Sequence, residues 1–172
     1  YKTPEATAAA FEDGRFKTGD IGEFLPGGHL RITDRKKDLI KTAGGKFVAP
    51  QKIESLLRSF PLLGPALIHG DKRKYIVALL TLDPQNAKAF AAAAGLGEIK
   101  ISELIKNEKL QNEVRTIIAK VNSRLAGYES IKRYKILPDE FTIAGGELTP
   151  SLKVRRKLLE QRYASELDSL YS

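Results

Sequence analysis

Lys153 is the residue whose setting first asks for a chemical reason. In ELTPSLKVRR, residues 147–156, a Thr-Pro turn signal leads to one lysine between Leu152 and Val154, with Arg155 and Arg156 directly behind it. Such a lysine is either one more solvated charge or a cation whose position matters. Three other stretches share that double character. In KTGD, a turn-held Asp20 carboxylate can accept paired hydrogen bonds from the two hydroxyls of a ribose; Gly-Asp is equally a common turn pair. In DRKKDLIK, Asp34 and Arg35 would act as a hinge if two domains met there, because element-terminal residues absorb the backbone rotation of domain closure. Arg35 can also aim a forked donor at the ribose that Asp20 would hold. Taken alone, the run is a solvated charged connector. In TAGGK, Gly44 and Gly45 let a strand edge approach a thin ligand such as pantetheine. Their spacing fits neither the Walker phosphate loop nor the dinucleotide fingerprint.

Composition narrows the chemistry further. The 172 residues contain no cysteine, which removes disulfides, thiolate nucleophiles and Cys-based metal sites. His29 and His69 stand without a second His or a carboxylate at ligand spacing, so no metal site is expected. Both histidines fall in expected strands and read as structural or surface residues. The formal charge of +8 favours anionic partners: nucleotide, coenzyme phosphate, nucleic acid or anionic lipid. Base-stacking aromatics are sparse, with seven Phe, six Tyr and no Trp, so small phosphorylated ligands are at least as plausible as nucleic acid. No apolar run approaches the ~20 residues that span a bilayer, and the start lacks a signal-peptide layout. A cytoplasmic protein fits best. The absence of methionine gives the expectation of a fragment or processed product.

The elements that must position these residues can be read along the chain. The first fifteen residues are polar and alanine-rich, a short helix or loop with no core of its own. IGEFL, Pro26-Gly27-Gly28 and HLRIT read as strand, turn and strand. LIKT, Ala43-Gly44-Gly45 and KFVA form a second hairpin. Pro50 opens a helix with Ile53, Leu56, Leu57 and Phe60 on one face. ALIHG and YIVALLTL are buried-strand runs, helices with three- and four-residue apolar spacing follow, and IKRYKILP is a late strand. RRKLLEQRYASELDSLYS closes the chain as one amphipathic helix. The fold class is α+β: a small mixed domain with an N-terminal β-hairpin, a central three-stranded sheet and flanking helices.

Together, YKTPEAT…FKTGDIGEF, ITDRKKDLIKTAGGKFVAPQKIE and GELTPSLKVRR resemble the adenylate-forming (AMP-binding) superfamily, most of all its long-chain fatty acyl-CoA ligase branch. The likeness runs over essentially the whole chain and rests on four motifs in order. It implies that residues 1–34 are the tail end of a large N-terminal AMP-binding domain and that residues 35–172 are the mobile C-terminal domain. The phosphate loop and the acyl pocket would belong to the large domain, which the resemblance makes the main partner, and a fragment without them is expected to be inactive alone. The reaction implied is activation of a fatty acid by ATP to acyl-AMP and pyrophosphate, then transfer to CoA, with ATP, Mg2+ and CoA as cofactors. By resemblance Lys153 is the catalytic lysine of the first step, Asp20 and Arg35 bind the ribose, and Asp34 and Lys37 mark the hinge. Lys41 serves the second step, and Gly44 and Gly45 line the pantetheine path. Lys46 departs from the aromatic or arginine often found there. Peripheral membrane contact is compatible with this branch. Two alternatives stay open: another carboxylate or a carrier-protein acceptor within the superfamily, and a stand-alone basic module that binds nucleic acid or acidic lipid.

Overall fold

A computed structural model describes residues 2–172, which part into two compact units, the first ending at Leu39 and the second Ile40–Ser172.

The first unit starts with α1 (Pro4–Ala10), whose proline occupies the first turn, where a missing N–H costs nothing. Two strands follow, β1 (Phe11–Glu12) and β2 (Arg15–Phe16), joined by Asp13 and Gly14 at φ 49° and 73°. Two positive φ values in a two-residue loop are the turn that matches strand twist, and Asp-Gly supplies it. This small hairpin lies inside the stretch expected to be helix or loop. Next, β3 (Asp20–Phe24) and β4 (Leu30–Arg35) pair antiparallel, Asp20 opposite Arg35 and Phe24 opposite Leu30. His29 sits in the connecting turn, outside the strand expected for it. Asp34 is the one buried residue among the described residues of this unit. Lys36–Asp38 is a single 3₁₀ turn with Lys37 exposed.

The second unit is built on a three-stranded sheet ordered β7 (Leu63–His69), β8 (Ile76–Leu82) and β9 (Ile131–Ile136). β7 and β8 are antiparallel; β8 and β9 are parallel. A parallel pair needs a long crossover, here α3 (Pro84–Ala93), α4 (Ile101–Leu104) and α5 (Glu108–Asn122). Every residue of β8 is buried, since both sheet faces are covered. Ile76, Ala78 and Leu80 face one apolar cluster with Ile53 and Leu57 of α2 (Pro50–Arg58) and Leu110, Val114 and Ile117 of α5. Val77 and Leu79 face another, with Leu148, Leu159 and Leu167. Each fully buried Leu or Ile contributes roughly 1.5–3 kcal/mol. That is why the sheet is the frame from which short loops hang.

One such loop lies between β5 (Ile40–Lys41) and β6 (Phe47–Val48); another precedes the C-terminal helices. The expected single closing helix is two: α6 (Arg156–Arg162) and α7 (Ala164–Ser169) break at Tyr163, where φ and ψ are −109° and 29°. The break lets both Leu159 and Leu167 reach the same core. No described helix is long and apolar enough to cross a membrane.

Candidate active site

In the first unit the sequence-expected nucleotide residues meet directly. Arg35 Nε lies 2.7 Å from Asp20 Oδ1 across the β3–β4 pair. The Asp20 N–H donates to Thr18 Oγ1 (3.1 Å), Gly19 adopts φ 74°, and the Gly19 carbonyl accepts from Lys36 N–H (2.8 Å). The turn therefore needs its glycine and fixes the start of β3. Asp20 is a quarter exposed and Arg35 about half, at 24% and 48%. A partly open carboxylate braced by a guanidinium is suited to receive two neutral hydroxyls. Asp34 takes a different part: its carboxylate is buried and accepts the Arg35 N–H (2.6 Å), which locks the end of β4 just before the 3₁₀ turn holding Lys37.

In the second unit Lys41, Thr42, Gly44 and Gly45 lie on the β5–β6 loop. Buried Thr42 closes it: its hydroxyl donates to Lys46 O and accepts from Lys46 N–H, each 3.2 Å, while its own N–H donates to Lys46 O (2.9 Å). Gly45 stands at φ 74°, a conformation that costs an L-residue roughly 1–2 kcal/mol. Gly44 has no positive φ, and an added Cβ would meet only Thr42 Oγ1, at 4.0 Å. The loop's own fold thus demands glycine at 45 and not at 44. Lys41 Nζ lies 5.7 Å from the centroid of the Phe47 ring, and Lys46 Nζ 6.0 Å from that of Tyr128.

Lys153 lies on a separate small loop. Leu148 and Val154 form an antiparallel bridge, and Thr149 ties the loop shut. The Thr149 N–H donates to Lys153 O (2.8 Å), and Thr149 Oγ1 accepts the Lys153 N–H (3.0 Å). Leu152 takes φ 59°, an uncommon conformation for a bulky residue, so the backbone just before Lys153 is strained. Among the described residues no acid lies within ion-pair distance of Lys153, which is exposed. The neighbouring arginines are engaged. Arg155 donates to Gly146 O (3.3 Å), Arg156 pairs with Glu54 (2.7 Å) and also donates to Ile68 O, and Arg162 pairs with Glu147. Arg156 is largely covered, at 15%.

Sequence reasoning missed Glu147, the anchor of this loop. It is buried, accepts from Thr142 N (3.1 Å) and Thr142 Oγ1 (3.3 Å), and pairs with Arg162. A Cβ on Gly145 would fall 2.2 Å from its Oε2. The Gly-Gly-Glu run was the available signal, since two glycines before an acid allow the chain to wrap a carboxylate. His69 Nδ1 lies 2.9 Å from Glu160, a pairing that no local spacing reveals. Among the described residues no group of three or more His, Asp or Glu could hold a metal ion; by the resemblance Mg2+ would be held mainly by the large N-terminal domain and ATP.

The model of the AMP-binding enzyme C-terminal domain matches residues 37–172. The chain belongs to that family. Its relatives carry the same C-terminal domain on longer chains. Long-chain-fatty-acid–CoA ligase FadD15 of Mycobacterium tuberculosis is 39% identical over all of this chain and 29% of its own. Long-chain-fatty-acid–CoA ligase 5 of Mus musculus is 37% identical over 99% of this chain and 25% of its own. The chain thus spans less than a third of these curated relatives. Among solved structures, the adenylation domain of a carboxylate reductase from Mycobacterium chelonae matches 99% of this chain and 25% of its own, at 29% identity and TM-score 0.74. A fatty acyl CoA synthetase of Mycobacterium tuberculosis matches 95% of this chain and 27% of its own, at 28% identity and TM-score 0.52. AMP-binding C-terminal domains thus share the small α+β architecture found here.

Proposed function

We propose that this AMP-binding C-terminal domain serves an ATP- and CoA-dependent long-chain fatty acid ligase in which Lys153 acts in the first step and the Lys41–Gly45 loop in the second. The observation that carries the reading is the Lys153 loop: a strained, hydrogen-bonded turn presents one uncommitted ammonium while nearby arginines are bound to acids or carbonyls. The relatives' names supply the substrate class, fatty acid and CoA.

In the first step a carboxylate oxygen bonds to the α-phosphorus of ATP and pyrophosphate leaves. Both reactants are anions, so a cation placed between them lowers the barrier where charge accumulates. Asp20 and Arg35 would fix the nucleotide by its ribose. In the second step the CoA sulfur bonds to the acyl carbon, the thiol proton is lost and AMP leaves. Gly44, whose missing side chain the loop does not need for itself, gives room for the pantetheine arm, with Lys41 beside it. Rotation about the Lys37 turn would present the two loops in succession.

The test uses the full-length protein with ATP and a panel of carboxylates. Lys153→Ala should lower ATP–pyrophosphate exchange roughly 10²–10³-fold, the loss typical of one pre-placed transition-state donor. Thioester formation from supplied acyl-AMP should persist. Gly44→Leu should give the opposite pattern. Equal damage to both steps by each variant would refute the division of labour, and a preference for aryl acids would refute the fatty-acid assignment.

A further inference from the structure

The β5–β6 loop is fastened along one edge to the turn that joins β7 to β8, residue by residue. The Lys41 N–H donates to Asp71 Oδ1 (3.1 Å), the Lys41 carbonyl accepts from Lys72 N–H (2.8 Å), and the Ala43 N–H donates to Arg73 O (2.9 Å). On its other edge the loop is closed by Thr42 and Lys46. The turn is a stiff support. It springs from two buried strands, and Arg73 N–H closes it onto Gly70 O (3.0 Å). Lys72 holds φ 57°, and a Cβ on Gly70 would come within 3.1 Å of the Tyr75 carbonyl oxygen. The Arg73 side chain is held in turn from the C-terminal helix region. Its guanidinium lies 4.9 Å from the centroid of the Tyr171 ring and pairs with Asp168 of α7.

We propose that Asp71 and Arg73 are positioning residues for the thioester-forming step. They set the height and direction of the Lys41–Gly45 loop, and Tyr171 and Asp168 brace Arg73 from behind. This rests on the reading of that loop given under Proposed function. Ile40 and Val48 anchor the two ends of the hairpin in the core, but Lys41 and the Gly44 turn beyond them are exposed, so their placement depends on what the loop backbone is bonded to. Asp71 is exposed and touches no core, so its removal should alter the loop without unfolding the domain.

The experiment compares Asp71→Ala, Asp71→Asn and Gly44→Leu in the full-length protein. Half-reaction kinetics are measured alongside hydrogen exchange at the Lys41 amide. Asp71→Ala should raise the KM for CoA about tenfold, leave ATP–pyrophosphate exchange within about twofold, and speed exchange of the Lys41 amide about tenfold, a factor equal to about 1.4 kcal/mol. Asp71→Asn keeps an oxygen acceptor and should restore all three values. If Gly44→Leu blocks thioester formation while Asp71→Ala changes neither the KM for CoA nor the Lys41 amide, the clamp is refuted and the loop assignment stands. If Asp71→Ala frees the amide and Gly44→Leu leaves thioester formation intact, the loop assignment itself fails, and the positioning role falls with it. If Asp71→Asn fails to rescue, the carboxylate acts by charge and not as the acceptor proposed, which also refutes the clamp.

Discussion

Asp20 and Arg35 face each other across the β3–β4 pair, with Arg35 Nε 2.7 Å from the Asp20 carboxylate. Fifteen positions apart in sequence, they meet because the hairpin register makes them opposite partners. On the proposed reading, Asp20→Ala deletes the acceptor for a ribose. A hydrogen bond to a charged group is worth about 1.5–3 kcal/mol. The KM for ATP of the full-length protein should therefore rise about 10–100-fold. Arg35→Leu should do less, since it leaves the acceptor in place. Neither change should shift stability by more than about 1 kcal/mol, because the pair is part-exposed. An unchanged KM in Asp20→Ala would remove Asp20 from the nucleotide site.

Leu152 sets the backbone entering Lys153 at φ 59°. Glycine adopts this conformation readily, whereas a β-branched residue resists it. Leu152→Gly should keep ATP–pyrophosphate exchange within about twofold of the parent, offsetting relieved strain against a looser unfolded chain. Leu152→Ile should lower it about tenfold by turning Lys153 out of register, the kinetic equivalent of the 1–2 kcal/mol left-handed cost. Equal exchange in the two variants would show that loop geometry does not govern Lys153.

Glu147 anchors the same loop from beneath. Glu147→Ala leaves Arg162 and the Thr142 N–H and hydroxyl without their shared acceptor. Unmet buried donors cost about 1–3 kcal/mol; the half-exposed arginine keeps access to water and moderates the loss. A fall of about 2 kcal/mol in urea-measured stability is expected, with Glu147→Gln losing roughly half as much. Unaltered denaturation midpoints would show that the network contributes nothing.

Tyr171 supplies a pH signature. Its hydroxyl donates to Tyr75 O (3.1 Å), and burial pushes its phenol above the ordinary value of 10.0, against a lowering influence from Arg73. The unfolded chain loses this proton near pH 10 while the folded chain retains it, so the associated stability is complete below about pH 10 and drains away as pH rises further. Tyr171→Phe should flatten that alkaline decline and cost about 1 kcal/mol at neutral pH through the lost hydrogen bond. The check is denaturant unfolding from pH 7 to 11. Parallel curves for parent and variant would contradict the assignment.

The sequence by itself determined the elements whose signals are local. Pro50 and the Ile53–Leu57 spacing mark α2, and the apolar runs mark the sheet strands. Thr149-Pro150, Gly44-Gly45 and Gly19-Asp20 mark the turns, and the ordered motifs identify the family. Asp13-Gly14 was equally legible as a two-residue hairpin turn, but the alanine-rich surroundings masked it. The break at Tyr163 was not legible, because both half-helices keep the same apolar spacing and only their shared core requires a bend.

What the tertiary structure alone decided are the pairings across long stretches of chain. Arg156 meets Glu54, Arg162 meets Glu147, His69 meets Glu160, and the turn from Asp71 to Arg73 takes hold of Lys41 and Ala43. Each depends on which strand edge or helix face the buried sheet brings alongside another. Residue type can announce that a charge or a polar group wants a partner. Only the packing of β7 and β8 beneath α6 and the β5–β6 loop decides which partner lies within hydrogen-bond reach.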